Sequence, residues 1–165
     1  MVGCCAPAKD ASCSLPQSKP GVCPCCNAKG RPVATLTVKS LVRDHTRVPA
    51  VASFSFCPTP DCETVYFSER AIFQKPDLKV RVGVKEQGDP IPACYCFDYA
   101  RAEICREIEK FGNTEIPERI KAEIQAGFCA CEVKNPAGKC CLGNVSQVIQ
   151  ECLRAIEERN TASAH

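Results

Sequence analysis

Two hydrophobic periodicities divide the chain near its middle. Between Val22 and about Val84, apolar residues alternate with small polar ones at a period of two, the spacing of strands with one buried face. Four short segments carry it: Val33–Val38, Val51–Phe56, Thr64–Phe67 and Leu78–Val84. Phe67 and Phe73 are the expected anchors of a small sheet. Gln87-Gly-Asp-Pro-Ile-Pro92 then interrupts the pattern, because two prolines and a glycine end both helix and ladder. Beyond it the period becomes helical. Ile104, Ile108 and Phe111 share a face of one helix that Asp98 would cap and Gly112 would end. Ile116, Ile120 and Ile124 form a second stripe between Pro117 and Gly127. Asn144 is placed to cap a third, carrying Val145, Val148, Ile149, Cys152, Leu153 and Ile156. The pattern predicts an α+β protein: a β-rich module over residues 21–88, then a helical module over residues 91–160. Residues 1–20 have no period and are expected to form a flexible tail containing Cys4, Cys5 and Cys13.

Composition explains how so small a sheet could stand. The chain has 165 residues, of which 16 are cysteine and none tryptophan. Removing the cysteines from the 45% hydrophobic fraction leaves roughly 35% apolar. Two half-size modules of that composition are marginal without staples. A net charge of +2 and the lack of an aromatic–basic stripe argue against nucleic acid as a partner. No run approaches the roughly eighteen apolar residues of a membrane span, and the N-terminal residues lack the apolar segment of a secretory signal. A cytoplasmic location is therefore expected, where thiols hold metals and disulfides are not expected. With only His45 and His165, neither Ser-His-Asp nor Cys-His catalysis can be drawn, and the chain reads as a non-enzyme.

The cysteines fall into two sets. Cys23-Pro-Cys-Cys26 is a C-x2-C pair, and Cys57-Pro-Thr-Pro-Asp-Cys62 adds a C-x4-C pair after intervening strands. Two thiolate pairs on two turns can close a tetrahedron around zinc, leaving no open position, so the site would be structural. Such a site contributes on the order of 10 kcal/mol of metal binding to folding. Cys25 or His45 replacing one of the four, or cysteines merely buried in a core, are the competing readings. The second set is Cys94-Tyr-Cys96, Cys129-Ala-Cys131 and Cys140-Cys141, all at predicted helix ends. A [2Fe-2S] cluster takes four thiolates in two pairs, one pair per iron. Cys94 and Cys96 suit one iron and two of the later four the other, with zinc as the alternative and the quartet open. Cys105 and Cys152 fall on helical faces and read as core thiols.

Five stretches in order resemble a known family: Cys23-Pro-x-Cys26; Phe56-Cys57-x4-Cys62-Glu-x-Val-Tyr-Phe67; Val80-Arg-Val-Gly-Val-Lys-Glu86; Cys94-Tyr-Cys96; and Cys131-x3-Asn135-Pro-x-Gly-x-Cys140-Cys141. They are similar to the N-terminal module of the archaeal-type CopZ copper chaperones, which pairs a zinc site with a [2Fe-2S] cluster. The helical half also resembles bacterioferritin-associated ferredoxin. The resemblance implies zinc on Cys23, Cys26, Cys57 and Cys62, and a cluster on Cys94, Cys96, Cys131 and Cys141, with Cys140 as the alternative to Cys141. It implies a metallochaperone or redox partner for a soft metal such as copper, and as its own partner a copper-transporting ATPase or another soft-metal transporter. The family's copper chaperones continue into a heavy-metal domain with its own C-x-x-C, which this sequence does not contain up to His165. Cys4 and Cys5, with Cys13, are then the expected donors for a Cu(I) cargo. A small ferredoxin-like electron-transfer protein without cargo is the alternative, and a zinc-ribbon interaction module a third.

Overall fold

Residues 21–162 are described by a computed structural model. Four short strands form an antiparallel sheet in chain order: β1 (Arg31–Val33), β2 (Phe54–Phe56), β3 (Thr64–Phe67) and β4 (Ile72–Gln74). Val33 lies opposite Phe54, Phe56 opposite Tyr66, and Tyr66 opposite Phe73. This register puts the aromatic side chains into one core, where the Phe54 and Phe73 rings stand 6.1 Å apart, tilted by 41°. Phe67 and Phe73 are both buried, as their pattern predicts.

Two of the four predicted strands do not form. Thr35–Leu41 is a helix (α1), although its residues alternate. Thr37, Val38 and Leu41 are its buried residues, while Leu36 is exposed, a spacing that a helix satisfies and a strand does not. Leu78–Val84 has no neighbouring strand along its length. It makes one bridge, from Leu78 to Val42, and ends in a 3₁₀ turn over Gly83–Lys85. Its alternation instead buries Leu78 and Val82 in the sheet's core and leaves Val84 exposed. The predicted strand over Val51–Phe56 shortens to its last three residues, and β4 forms around Phe73 where no strand pattern was evident.

The second half opens with a two-stranded hairpin, β5 (Pro92–Cys94) and β6 (Tyr99–Ala100). Asp98 does not cap a helix; it sits in the hairpin turn at φ 57°, and Ala100 precedes α2 (Arg101–Phe111). Gly112 ends α2 in the left-handed conformation at φ 77°, as its position predicts. Then follow α3 (Ile116–Gln125), the short α4 (Cys131–Lys134) and the long α5 (Leu142–Ala162). Asn144 lies inside the first turn of α5, and its amide donates to the Ala93 carbonyl at 2.9 Å, tying helix to hairpin instead of capping. Ile104, Ile108, Ile116, Ile120, Val145 and Val148 form the core between these helices. Each such side chain contributes about 1.5–3 kcal/mol by leaving water. Phe111, from the predicted stripe, is exposed.

Cys105 and Cys152 are not free core thiols. They join α2 to α5 as a disulfide with Cα atoms 5.4 Å apart, within the span such a bond requires. The sequence pattern had already put both on inward faces; only the packing of α2 along α5 sets them opposite one another. Among the described residues no helix is long and apolar enough to cross a membrane.

The two cores touch. α1 packs against α4, and Gly138 (φ 66°) faces Thr37 and Val33 so closely that a Cβ there would lie 3.1 Å from the Thr37 hydroxyl. The fully buried Tyr66 donates its hydroxyl across the seam to the Pro136 carbonyl at 2.8 Å. Removing it orphans a buried acceptor, so Tyr66→Phe should lower the unfolding free energy by about 1–2 kcal/mol. Denaturant titration by circular dichroism checks this; an unchanged midpoint would mean that the seam bond contributes nothing.

Candidate metal centres

The first site is assembled from two turns. Cys23 accepts the Asn27 N–H on its carbonyl, and its own N–H donates to Ala28, with Asn27 at φ 58°; this tight reversal carries Cys23 and Cys26. Cys57 directly follows β2 and its N–H donates to the Val65 carbonyl, while Cys62 closes the loop before β3. The four sulfurs lie within 4.8 Å of one another, three of the residues buried and Cys26 half-buried. Cys23 and Cys62 sulfurs are 3.9 Å apart, Cys26 and Cys57 sulfurs 3.6 Å. A tetrahedron with metal–sulfur bonds of about 2.3 Å has edges of about 3.8 Å. These four sulfurs fit it. Cys25 and His45 are outside the group: Cys25 accepts a hydrogen bond from Thr64 at 2.9 Å, and His45 lies in a 3₁₀ turn over His45–Arg47.

The protons on these thiols are unevenly held. Burial pushes Cys62 up to about 12 and raises Cys23 as well. Burial also acts on Cys26, but hydrogen bonds from the Thr59 hydroxyl and the Ala28 N–H, with the Cys23 and Cys57 thiols, outweigh it and bring Cys26 down to about 6. At neutral pH Cys26 is the ready thiolate, and an entering cation must displace protons from Cys23 and Cys62.

One residue beside this site is not a thiol. Lys85 is 3% exposed, and its ammonium donates to the Thr59 carbonyl at 2.6 Å and the Cys62 carbonyl at 2.9 Å. A buried cation so placed both fixes the Cys57–Cys62 loop and opposes the negative charge of thiolates. Spacing in the sequence gives no sign of this contact, because the two carbonyls lie 26 and 23 residues away along the chain.

The second site gathers sulfurs across the chain. Cys94 hydrogen-bonds with Cys141, which lowers Cys94 to about 6 against its burial and raises Cys141. Cys96 and Cys131 sulfurs are 3.3 Å apart. The pairs therefore cross between hairpin and helices, whereas the sequence reading put Cys94 and Cys96 together on one iron. All four residues are buried. Cys140 is exposed and Cys141 buried, so the structure turns Cys141 inward. The sulfurs also receive donors: Tyr95 N–H to Cys141 at 3.5 Å, Ala130 N–H to Cys96 at 3.4 Å, and the Asn135 amide to Cys141 at 3.3 Å. Such N–H groups stabilise sulfur-borne negative charge. Cys129 is exposed, with its sulfur 3.2 Å from that of Cys131. Cys4, Cys5 and Cys13 lie outside the described residues.

A short path joins the two sites. Lys85 belongs to the turn that begins at Gly83; the Gly83 N–H donates to the Tyr95 hydroxyl at 2.8 Å, and Tyr95 stands between Cys94 and Cys96. The Tyr95 hydroxyl in turn donates to the Arg81 carbonyl at 3.1 Å.

A structure with two thiol-lined sites, one on a small sheet and one among helices, defines a cysteine-rich metal-binding class. Residues 20–79 match the CopZ zinc-finger family, described as a zinc binding domain. The solved N-terminal domain of Archaeoglobus fulgidus CopZ superimposes with a TM-score of 0.63 at 36% identity, over 77% of this chain and 96% of that one. The chain belongs to this CopZ family. The copper chaperone CopZ of A. fulgidus is 39% identical over 119 residues, 72% of this chain. The chain matches 57% of that relative's length.

Replacing Lys85 by methionine keeps the stem's bulk and removes its charge. We expect Lys85→Met to weaken zinc binding at the first site roughly tenfold, as outer-layer partners commonly do. Competition with a chromophoric chelator measures it, and affinity equal to wild type would reduce Lys85 to a packing residue.

Proposed function

We propose that this protein is a metallochaperone or redox partner in soft-metal handling, with copper as the metal. In this reading zinc is held by Cys23, Cys26, Cys57 and Cys62, and a [2Fe-2S] cluster by Cys94, Cys96, Cys131 and Cys141. The observation that carries it is the convergence of two separate thiol sets in one chain, one near-tetrahedral and one made of two buried pairs. Likeness to a copper chaperone supplies the choice of copper. The β-rich part is the zinc module and the helical part the cluster module.

The chemistry of each donor set supports its assignment. Four thiolates around a d¹⁰ ion leave no open coordination position, so the zinc would hold the sheet and take no part in transfer. A bound cluster supplies one-electron transfer, which could reduce an incoming metal. This chain's residues do the rest. Burial of the four thiols excludes water, and the N–H groups of Tyr95 and Ala130 with the Asn135 amide oppose added negative charge. Asn135 is itself held: its oxygen accepts from Ala137 at 2.9 Å and its amide also donates to Lys139 at 2.6 Å. The cargo is assigned to Cys4 and Cys5, and a soft-metal transporter such as a copper-transporting ATPase is the partner, meeting the protein in the cytoplasm.

Protein purified without oxygen should contain about one zinc, two irons and two acid-labile sulfides per chain. Elemental and sulfide analysis with a visible spectrum decides this, and zinc in both sites would overturn the cluster. Cluster-loaded protein should also take up Cu(I) tightly, and lose that capacity when residues 1–20 are removed. Failure to take up Cu(I) with an intact cluster would leave an electron-transfer protein without cargo.

The thiol titrations add a pH signature. Zinc affinity should rise with pH through neutrality, since Cys23 and Cys62 release protons on binding, and should fall more steeply below about pH 6, where Cys26 is also protonated. Chelator competition across that range reads the slope. A constant slope through pH 6 would show that Cys26 is not the ready thiolate.

A further inference from the structure

Five thiols, not four, converge at the second site. Gly127 (φ 85°) turns the chain after α3, and the loop that follows runs Phe128-Cys-Ala-Cys131 into α4. Ala130 is non-helical (φ −134°, ψ 42°), which leaves the side chains of Cys129 and Cys131 on the same side of the loop. Their sulfurs are 3.2 Å apart, and both lie within 4.8 Å of the Cys96 sulfur. Cys96 is fixed between them by the Ala130 N–H at 3.4 Å. Among the described residues, no third thiol forms such a group with Cys94 and Cys141.

We propose that Cys129 is an alternate ligand to the iron that Cys96 serves, able to take the place of Cys131. This rests on the cluster reading above. In the exchange Cys129 loses its proton and forms the sulfur–iron bond as the Cys131–iron bond breaks and Cys131 takes up a proton. The iron keeps four sulfur ligands and its oxidation state, so no reductant or oxidant is needed. Because the two sulfurs already touch, the loop need not be rebuilt. Cys131 is the buried member and Cys129 the exposed one, so the exchange moves a ligand between interior and solvent. One edge of the site thereby opens to incoming thiols or soft ions without loss of the cluster.

The test uses the full chain, purified without oxygen, as wild type, Cys129→Ala, Cys131→Ala and the double variant. Alanine is chosen because a serine oxygen can itself ligate iron. Iron, sulfide and the visible spectrum should persist in each single variant, with a shifted spectrum in Cys131→Ala, and should vanish in the double variant. Alkylation followed by peptide mass spectrometry gives an independent readout: Cys129 should be labelled in loaded wild type and protected in loaded Cys131→Ala. Should Cys131→Ala lose its helical circular dichroism, Cys131→Val, whose side chain cannot ligate iron, decides instead with the same Cys129 protection assay. A folded Cys131→Ala as empty as the double variant, a double variant that keeps its cluster, or Cys129 equally labelled throughout would each overturn the proposal. Wild type lacking iron and sulfide would overturn the cluster reading itself, and this inference with it.

Discussion

A chain with little apolar material must still bring its segments into fixed register, and here converging sulfurs impose that register. At the first site, the turn before β1 and the loop after β2 leave the same end of the sheet and place four sulfurs within 4.8 Å, so strand pairing and sulfur geometry constrain each other. β2 ends directly before Cys57 and β3 begins two residues after Cys62; a slip of one residue along this ladder would turn side chains to the other face and separate the sulfurs. At the second site, the pairing of Cys94 with Cys141 and Cys96 with Cys131 fastens the hairpin to the helices. The Cys105–Cys152 disulfide does the same between α2 and α5.

Gathering thiols creates an electrostatic problem, since several adjacent sulfurs cannot all ionise without compensation. The protein distributes the answer over polar groups instead of one counter-ion. Lys85 is buried against the Cys62 carbonyl, and backbone N–H groups and the Asn135 amide point at sulfurs of the second site. One member of the first set, Cys26, and one of the Cys94–Cys141 pair, Cys94, are brought to about 6, while burial raises Cys23 and Cys62 and the bond to Cys94 raises Cys141. A cation meets a partly ionised site, which it completes by displacing protons.

The sites are also mechanically joined. From the Cys62 carbonyl the connection runs through Lys85 and the turn at Gly83 to the Tyr95 hydroxyl, and Tyr95 separates Cys94 from Cys96. Tyr66 adds a second tie, from the sheet's core to Pro136 in the loop that precedes Cys141. Distortion at one site therefore has a direct structural route to the other, through groups that carry no metal themselves.

Cysteine spacing was the most legible part of the sequence. The C-x2-C and C-x4-C pairs identify the four residues that converge at the first site, because a short loop between two thiols forces their sulfurs onto one turn. The helical stripes of α2 and α3, and the helix end at Gly112, were equally readable, since they depend on contacts within a few residues. The β pattern was less secure: Thr35–Leu41 alternates yet coils, and Leu78–Val84 alternates without a strand to pair with. Whether an alternating segment becomes a strand depends on a free neighbouring edge, which is a property of the assembled sheet. Tertiary structure alone decided that sulfurs pair across the hairpin and helices, that Cys105 meets Cys152, that Asn144 reaches Ala93, and that Lys85 is buried. Each joins segments far apart in the chain, and spacing in sequence carries no information about which distant backbone will be brought within hydrogen-bonding or bonding distance.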